Sequence, residues 1–550
     1  LSLLIHRYFI LYNSLGWTLD TQIFCFEIYW TIDNDSMPDW CLTATGVADN
    51  VSVKIIQINH LWQDMHPSNE PLEKRREICF QPKLAPISLQ QYCIGNCRCS
   101  PVDSRSYRHH EKHESFVTLY NSHRDSMVAK KPFDYHILSL VSSAPNTTIE
   151  NERIRLTFDS TSMHGLLKSW SYYNFQTKTW NSIDIQMEIM TFGTRSGGKN
   201  VQKSGAYIFL PDDQNPVPFE WTGKPKIRVT IGNLESRYEW MVDEPYPVHI
   251  RFSLYRGRPT VEMQTEFHLQ GKQGANRELL IRFKIPGIDN GDRFYTDLNG
   301  LQMIARKRYA KIPLQGNVYP LTTIAWIEDD KHRFTVISGQ PLGVTSLSTT
   351  TMEIFMDRRL MQDDFRGLNQ GVLDNRQTRE IFRLMLEPRL SASIMTNSSP
   401  SLTSGMMFES QTLLNPIIGL STKQLDDDRP LISENSFSKL KLLQSPLPCD
   451  LHLLNLRRSI SRYRQFSLWL HRTALTCDSK CLQTSNSSDM IIDLTKYLSK
   501  EIVGRLEPKI ELMNGMSWFH HPKNLTWHPS NLTLNIGPMH LSSYRLYLLS

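Results

Sequence analysis

The stretch Ile250-Arg-Phe252-Ser-Leu254-Tyr-Arg256-Gly257-Arg258-Pro259-Thr-Val261-Glu-Met263-Gln-Thr-Glu-Phe267 decides the fold class. Apolar residues recur at every second position on both sides of an Arg-Gly-Arg-Pro reversal, with polar residues in the positions between. A period of two is that of a half-buried strand. Gly and Pro at the reversal supply the turn chemistry of a β-hairpin. The same alternation appears upstream at Ile154, Leu156, Phe158, at Ile183, Ile185, Met187, Ile189 and at Ile227, Val229, Ile231. It returns downstream at Ile281, Phe283, Ile285 and at Met352, Ile354, Met356. Many short strands with no helical period between them predict antiparallel pairing rather than βαβ units. The chain is therefore expected to be mainly β, with residues 144–388 forming a large antiparallel β-sandwich.

The flanks read differently. Residues 1–135 hold no sustained period of 2 or 3.6 and concentrate Cys and His with basic clusters such as Lys74-Arg75-Arg76. No fold is assigned there, and the stretch reads as disordered, foreign or mistranslated sequence. Ser, Thr, Pro and Gly crowd into Asn397–Gly405, and Asp426-Asp427-Asp428 precedes Pro430, so 389–449 reads as a linker and irregular region. Alternation at Leu532, Leu534, Ile536 and at Tyr544, Leu546, Leu548 predicts a smaller β-rich domain over 450–550.

Composition excludes some classes. Of 550 residues, 40% are hydrophobic and only 26 are Gly and 29 Pro, so the chain can bury a sizeable core and is not low-complexity sequence. A net charge of +6 with both signs interspersed gives no strong pull toward nucleic acid or an anionic membrane. The apolar opening LSLLIHRYFILYNSLGW is broken by His6 and Arg7, short of a membrane span, and lacks the marks of a signal peptide. Because the first residue is Leu1, the chain is expected to be a fragment, with any membrane anchor upstream. Cys25, Cys41, Cys79, Cys93, Cys97 and Cys99 precede a gap that runs to Cys449, so the middle fold holds no disulfide. Sequons at Asn50, Asn146, Asn397, Asn486, Asn524 and Asn531 permit a lumenal or secreted location.

Three constellations carry possible chemistry. Gly193 to Asn200 comes within one residue of a phosphate-binding loop, but Asn200 replaces the hydroxyl needed for magnesium and no apolar-periodic helix follows. It reads as a Gly-rich hairpin loop. Cys93, Cys97 and Cys99 with His109, His110 and His113 offer zinc ligands, yet the spacing fits no standard finger, and disulfides or irregular chain compete with that reading. Asp357, Arg358, Arg359, Asp363, Asp364 and Arg366 form the densest charge cluster, following a predicted strand. Its guanidinium groups could clamp a polar ligand bidentately, and a salt-bridged corner is the competing structural role.

At this cluster a resemblance emerges. GQPLGVTSL (Gly339–Leu347), DRRLMQDDFRGLNQGVLDN (Asp357–Asn375), GDRFYTDLNGLQM (Gly291–Met303), KIPLQGNVYP (Lys311–Pro320) and SGAYIFLPD (Ser204–Asp212) together resemble the C-terminal half of the α-mannosidases of glycoside hydrolase family 38. The likeness covers about 148–388 well and continues more weakly through Leu470–Cys477 to the end, and Leu298-Asn299-Gly300 favours the Golgi branch. The resemblance implies a zinc-dependent retaining enzyme that trims terminal α-mannose from N-linked oligosaccharides in the Golgi lumen or another secretory compartment. Zinc and nucleophile would stand on an N-terminal barrel. No counterpart of the family's HNDPGW or HHDAITGT motifs is found. Ser122-His123-Arg124-Asp125 keeps only an H-x-D core, and about 80 residues between it and Tyr207 are too few for a (β/α)8 barrel. The barrel is thus expected to be missing from this chain, and no zinc is expected to bind it.

The resemblance carries over only contacts from the β-domain, namely Tyr207 and an arginine among Arg358, Arg359 and Arg366, with Asp357, Asp363 and Asp364 beside them. A non-catalytic carbohydrate-binding or interaction sandwich is the alternative function. If Tyr207 and the cluster share a site, they stand on one rim with exposed apolar area nearby.

Overall fold

The computed structural model describes residues 2–3, 8–29, 40–45, 51–53, 55–60, 75–96, 111–120, 135–138, 146–159, 166–195, 201–269, 275–389, 400–421, 442–458, 464–473, 475, 490–504, 506–513, 523–526, 533–537 and 540–548. They form two compact units, one of 115–400 and one combining 1–114 with 401–550.

The first unit is the sandwich that the alternation predicts. The hairpin of Val248–Tyr255 and Val261–Phe267 pairs Leu254 with Val261 and Phe252 with Met263, antiparallel throughout. It sits within an eleven-stranded sheet whose middle runs Lys226–Ile231, Glu235–Val242, Val248–Tyr255, Val261–Phe267, Thr378–Pro388, His332–Ser338 and Ile324–Glu328. One edge of this sheet holds a parallel pair, Phe116–Tyr120 with Tyr135–Leu138. A six-stranded sheet centres on Gln186–Gly193, Arg277–Lys284 and Thr351–Arg359, and a four-stranded sheet holds Thr147–Glu150, Ile154–Phe158, Leu167–Asn174 and Thr179–Asp184.

Inward side chains of all three sheets meet in one core, among them Phe158 and Trp170, Ile281 and Phe283, and Trp240, Phe252, Val336 and Leu384. Alternation is clean where one face is solvated and fails where both are covered. Arg277–Lys284 buries Leu279, Leu280, Ile281 and Phe283. Leu279, Ile281 and Phe283 enter the main core, while Leu280 faces a second cluster with Met190, Phe192 and Leu314.

The second unit draws on both flanks of the sequence. Tyr8–Asn13 pairs with Ser88–Asn96 on one side and with Ile418–Leu420 on the other, which places Ile10 opposite Leu420. Phe9, Ile10 and Leu11 are all buried, so this strand reads as a short apolar run without a period. Cys25 and Cys79 are register partners in adjacent strands and form a disulfide. In the region read as linker, Thr403 caps a helix over Ser404–Leu414, its hydroxyl accepting from the Met406 amide at 3.1 Å. The Ser/Thr/Gly crowding there is in part an N-cap signal rather than a chain break. Leu451–Arg458, Gln465–Arg472, Leu541–Leu548, Leu506–Met513 and Lys523–Thr526 build a five-stranded sheet of the smaller β region.

Cys97, Cys99, His109, His110, His123, Asp125 and residues 196–200 of the Gly-rich loop lie outside the described residues. Cys93 and His113 stand in strands of different sheets. Among the described residues no helix is long and apolar enough to cross a membrane.

Phe283→Ala, emptying a fully buried site in the shared core, should lower the unfolding free energy by about 3–5 kcal/mol. Val201→Ala, at a side chain 50% exposed, should stay within about 0.5 kcal/mol. Urea unfolding followed by tryptophan fluorescence measures both.

Candidate functional site

Two loops of the sandwich unit, distant in sequence, are laced together at one corner. The first contains Ser204-Gly205-Ala206-Tyr207-Ile208. It turns tightly, the Gly205 amide donating to the Ile208 carbonyl at 3.0 Å and the Leu210 amide to Ser204 Oγ at 2.9 Å. The second follows Thr351–Arg359 and is closed at its base by Leu360 and Val372, whose amides and carbonyls exchange bonds of 3.0 and 2.9 Å.

Asp364 joins them. Its Oδ2 accepts from the Tyr207 amide at 2.7 Å and the Ile208 amide at 3.0 Å, and its Oδ1 accepts from the Arg366 amide at 3.3 Å. A carboxylate receiving several backbone donors makes a strong, charge-assisted anchor. Gly205 permits the approach, because a Cβ there would overlap the Asp364 side chain and come within 2.7 Å of its backbone nitrogen. Arg358 Nη2 completes the lacing by donating to the Gly205 carbonyl at 2.8 Å and the Ile208 carbonyl at 3.3 Å. Gln362 Nε2 donates to the Ser204 carbonyl at 3.0 Å.

The expected site residues are thus brought together, with different surroundings. Tyr207 projects outward at 65% exposure, and Met361, Phe365, Leu368 and Leu373 add exposed apolar surface on the neighbouring loop. Phe365 holds a φ of 56°, unfavourable for a bulky side chain, and Lys203 Nζ sits 4.5 Å from its ring. Arg366 is exposed. Asp357 turns to Asn375, whose Nδ2 donates to both carboxylate oxygens at 3.0 Å. Arg359 Nη1 reaches Asn375 Oδ1 at 3.2 Å.

Arg358 does not pair with the neighbouring aspartates. Its partner is Glu278, at 2.9 Å, a buried acid near the start of Arg277–Lys284 that sequence reasoning missed. The signal was one carboxylate beside an apolar run. Burial pushes the Glu278 carboxyl up to about 7 even with Arg358 beside it. Burial raises Asp357 as well. Glu380, across the sandwich edge, is likewise pushed up to about 7 by burial, although the Thr378 and Thr265 hydroxyls donate to it at 2.8 and 3.1 Å. Three buried polar atoms at the corner make no hydrogen bond: Arg358 Nε, Arg359 Nε and Asp363 Oδ1.

The corner does not fit a zinc ion. Asp364 is committed to backbone amides and Asp357 to Asn375. Among the described residues no three His, Cys or acidic side chains converge there. What the arrangement can do is present an aromatic ring, donor forks and a carboxylate oxygen to a polar ligand.

Residues 149–366 match the model of the glycosyl hydrolases family 38 C-terminal domain. The chain is 33% identical to human alpha-mannosidase 2 over 508 residues, covering 90% of the chain and 40% of that protein. It is 33% identical to alpha-mannosidase 2 of Drosophila melanogaster, covering 65% and 30% respectively. Human lysosomal alpha-mannosidase is 30% identical over 42% of the chain and 23% of its own length. At 90% coverage the first match takes in part of residues 1–135 as well. A crystal structure of a glycosyl hydrolase family 38 protein from Enterococcus faecalis superposes with a TM-score of 0.54 at 11% identity, over 98% of this chain and 58% of that one, a likeness of fold. The chain thus spans about 40% of the length of the human relative.

The raised acids give a pH dependence whose sign is fixed. Folded Glu380 keeps a proton up to about 7, whereas the unfolded chain loses it near 4.5, so its contribution is full below the lower value and lost as pH rises through the upper one. Glu380→Gln should therefore gain stability relative to wild type across that window, by roughly 1–3 kcal/mol in total, and level off above it. Urea midpoints at a series of pH values measure this, and a pH-independent difference would remove the assignment.

Proposed function

Because this chain belongs to glycosyl hydrolase family 38, whose C-terminal domain it carries, we propose that it is the β-rich part of an α-mannosidase acting on terminal α-mannosidic bonds of N-linked oligosaccharides. The observation that carries this reading is the corner, where an outward tyrosine stands on a laced loop among three buried polar atoms without hydrogen-bond partners. Buried polar groups left unmatched within a protein call for a partner from outside it.

Tyr207 offers its ring face and hydroxyl to the sugar. Arg366 offers an exposed donor fork, and Asp363 an acceptor. Arg358, Asp357, Asp364 and Arg359 are positioning residues that hold the two loops. In this reading the sandwich binds and orients, while bond cleavage, with its nucleophile and zinc, belongs to a barrel that is not found among the described residues. A secretory compartment, the Golgi lumen among them, is supported by the Cys25–Cys79 disulfide and by the exposed sequon residue Asn146.

With zinc supplied, the purified chain should fail to hydrolyse an aryl α-mannoside, and robust turnover would overturn that division of labour. A fluorinated tyrosine at position 207 should shift its fluorine resonance on addition of mannotriose, and Arg366→Ala should weaken the response. A resonance unmoved at saturating sugar would sink the sugar-facing role.

A further inference from the structure

At the opposite end of Thr378–Pro388 from the corner, the sandwich unit opens a cleft of about 700 Å³. Thr378 pairs with Phe267 at the corner end, and Pro388 pairs with His332 at the cleft end. At about 3.3 Å per residue the strand separates the two places by roughly 30 Å.

Four segments build the cleft: Tyr172, the pair Asn181 and Ser182, the run Asp330-Lys331-His332, and the pair Pro388 and Arg389. Tyr172 and Asn181 are register partners on adjacent strands, so they share a face. The wall opposite is preformed. Asp329 Oδ1 accepts from the amides of Lys331 and His332 at 2.8 and 2.7 Å, and Arg389 Nη1 donates to the Asp329 carbonyl at 2.8 Å. Tyr172 Oη lies 3.4 Å from His332 Nε2, while the buried His332 Nδ1 has no hydrogen-bond partner.

The lining is chemically mixed. It combines an aromatic ring, an imidazole, an amide that both donates and accepts, a hydroxyl, the exposed carboxylate of Asp330 beside the exposed ammonium of Lys331, and a guanidinium whose charge is partly met by Glu328 at 3.6 Å. An anion would meet Asp330, and an apolar ligand would strand the polar groups. A polyhydroxylated neutral ligand satisfies all of them, and the volume suits a short oligosaccharide. We infer that this cleft is a saccharide-binding site separate from the Tyr207 corner. It stands whether or not the corner binds sugar.

The test uses the purified chain carrying Tyr207→Ala, which removes the corner's ring, and calorimetric titration with mannotriose. Saturable binding in the millimolar range is expected to persist. Adding Asn181→Arg, which fills the cleft from an edge strand, should weaken it at least tenfold with an unchanged melting temperature. If that variant does not fold, Ser182→Trp replaces it. Binding that vanishes with Tyr207→Ala alone, that is absent from the start, or that survives a folded cleft-filling variant overturns the inference. The first of these outcomes leaves the corner's role standing. Mannose 6-phosphate binding tenfold more tightly than mannose would overturn the assignment of a neutral ligand.

Discussion

The sandwich depends on full two-sided pairing of one strand, Thr378–Pro388. It bonds Val261–Phe267 along one edge and His332–Ser338 along the other. Without it the large sheet would fall into two parts, each with an exposed edge of unpaired amides and carbonyls. Neither neighbour is local in sequence, so the contact that unites the sheet forms only after more than a hundred residues have been brought back to it. Phe382 and Leu384 on this strand are completely buried, so pairing and core burial are satisfied together.

The corner shows how loops acquire the rigidity of strands. Its two loops lie 157 residues apart at the Asp364–Tyr207 contact. Each gives the other what its own backbone lacks: Asp364 supplies an acceptor for two amides, and Arg358 a donor for two carbonyls. Such reciprocal satisfaction removes the freedom that exposed loops normally keep. Tyr207 is consequently an exposed side chain on a fixed backbone. The acid beneath, Glu278, is costly to ionise in this setting, and its guanidinium partner is largely occupied by carbonyls.

What the sequence disclosed follows from the range of the interactions. The alternation from Ile250 to Phe267 is a local pattern with a local cause, and it mapped directly onto a hairpin. Arg277–Lys284 blurred that pattern because Leu279 and Leu280 serve different apolar clusters. The union of Tyr207 with the Asp364 loop was visible only through resemblance, since no periodicity links residues so far apart. Glu278 showed only as one carboxylate beside an apolar run, and the residues of the opposite cleft gave no signal, being ordinary types contributed by separate segments. Tyr8–Asn13 escaped for the same reason, as its apolar run has meaning only beside Ser88–Asn96 and Ile418–Leu420.

That last pairing bears on how the protein is made. One compact unit is assembled from residues 1–114 and 401–550, with the whole sandwich between them. A ribosome adding roughly 5–20 residues per second leaves Tyr8–Asn13 waiting on the order of half a minute for its partner Ile418–Leu420. During that interval an apolar strand stands with one edge open while the intervening unit can already fold. Nascent-chain protection by a chaperone would therefore matter most for the stretch that holds Tyr8–Asn13, and synthesis speed would set how long it remains exposed.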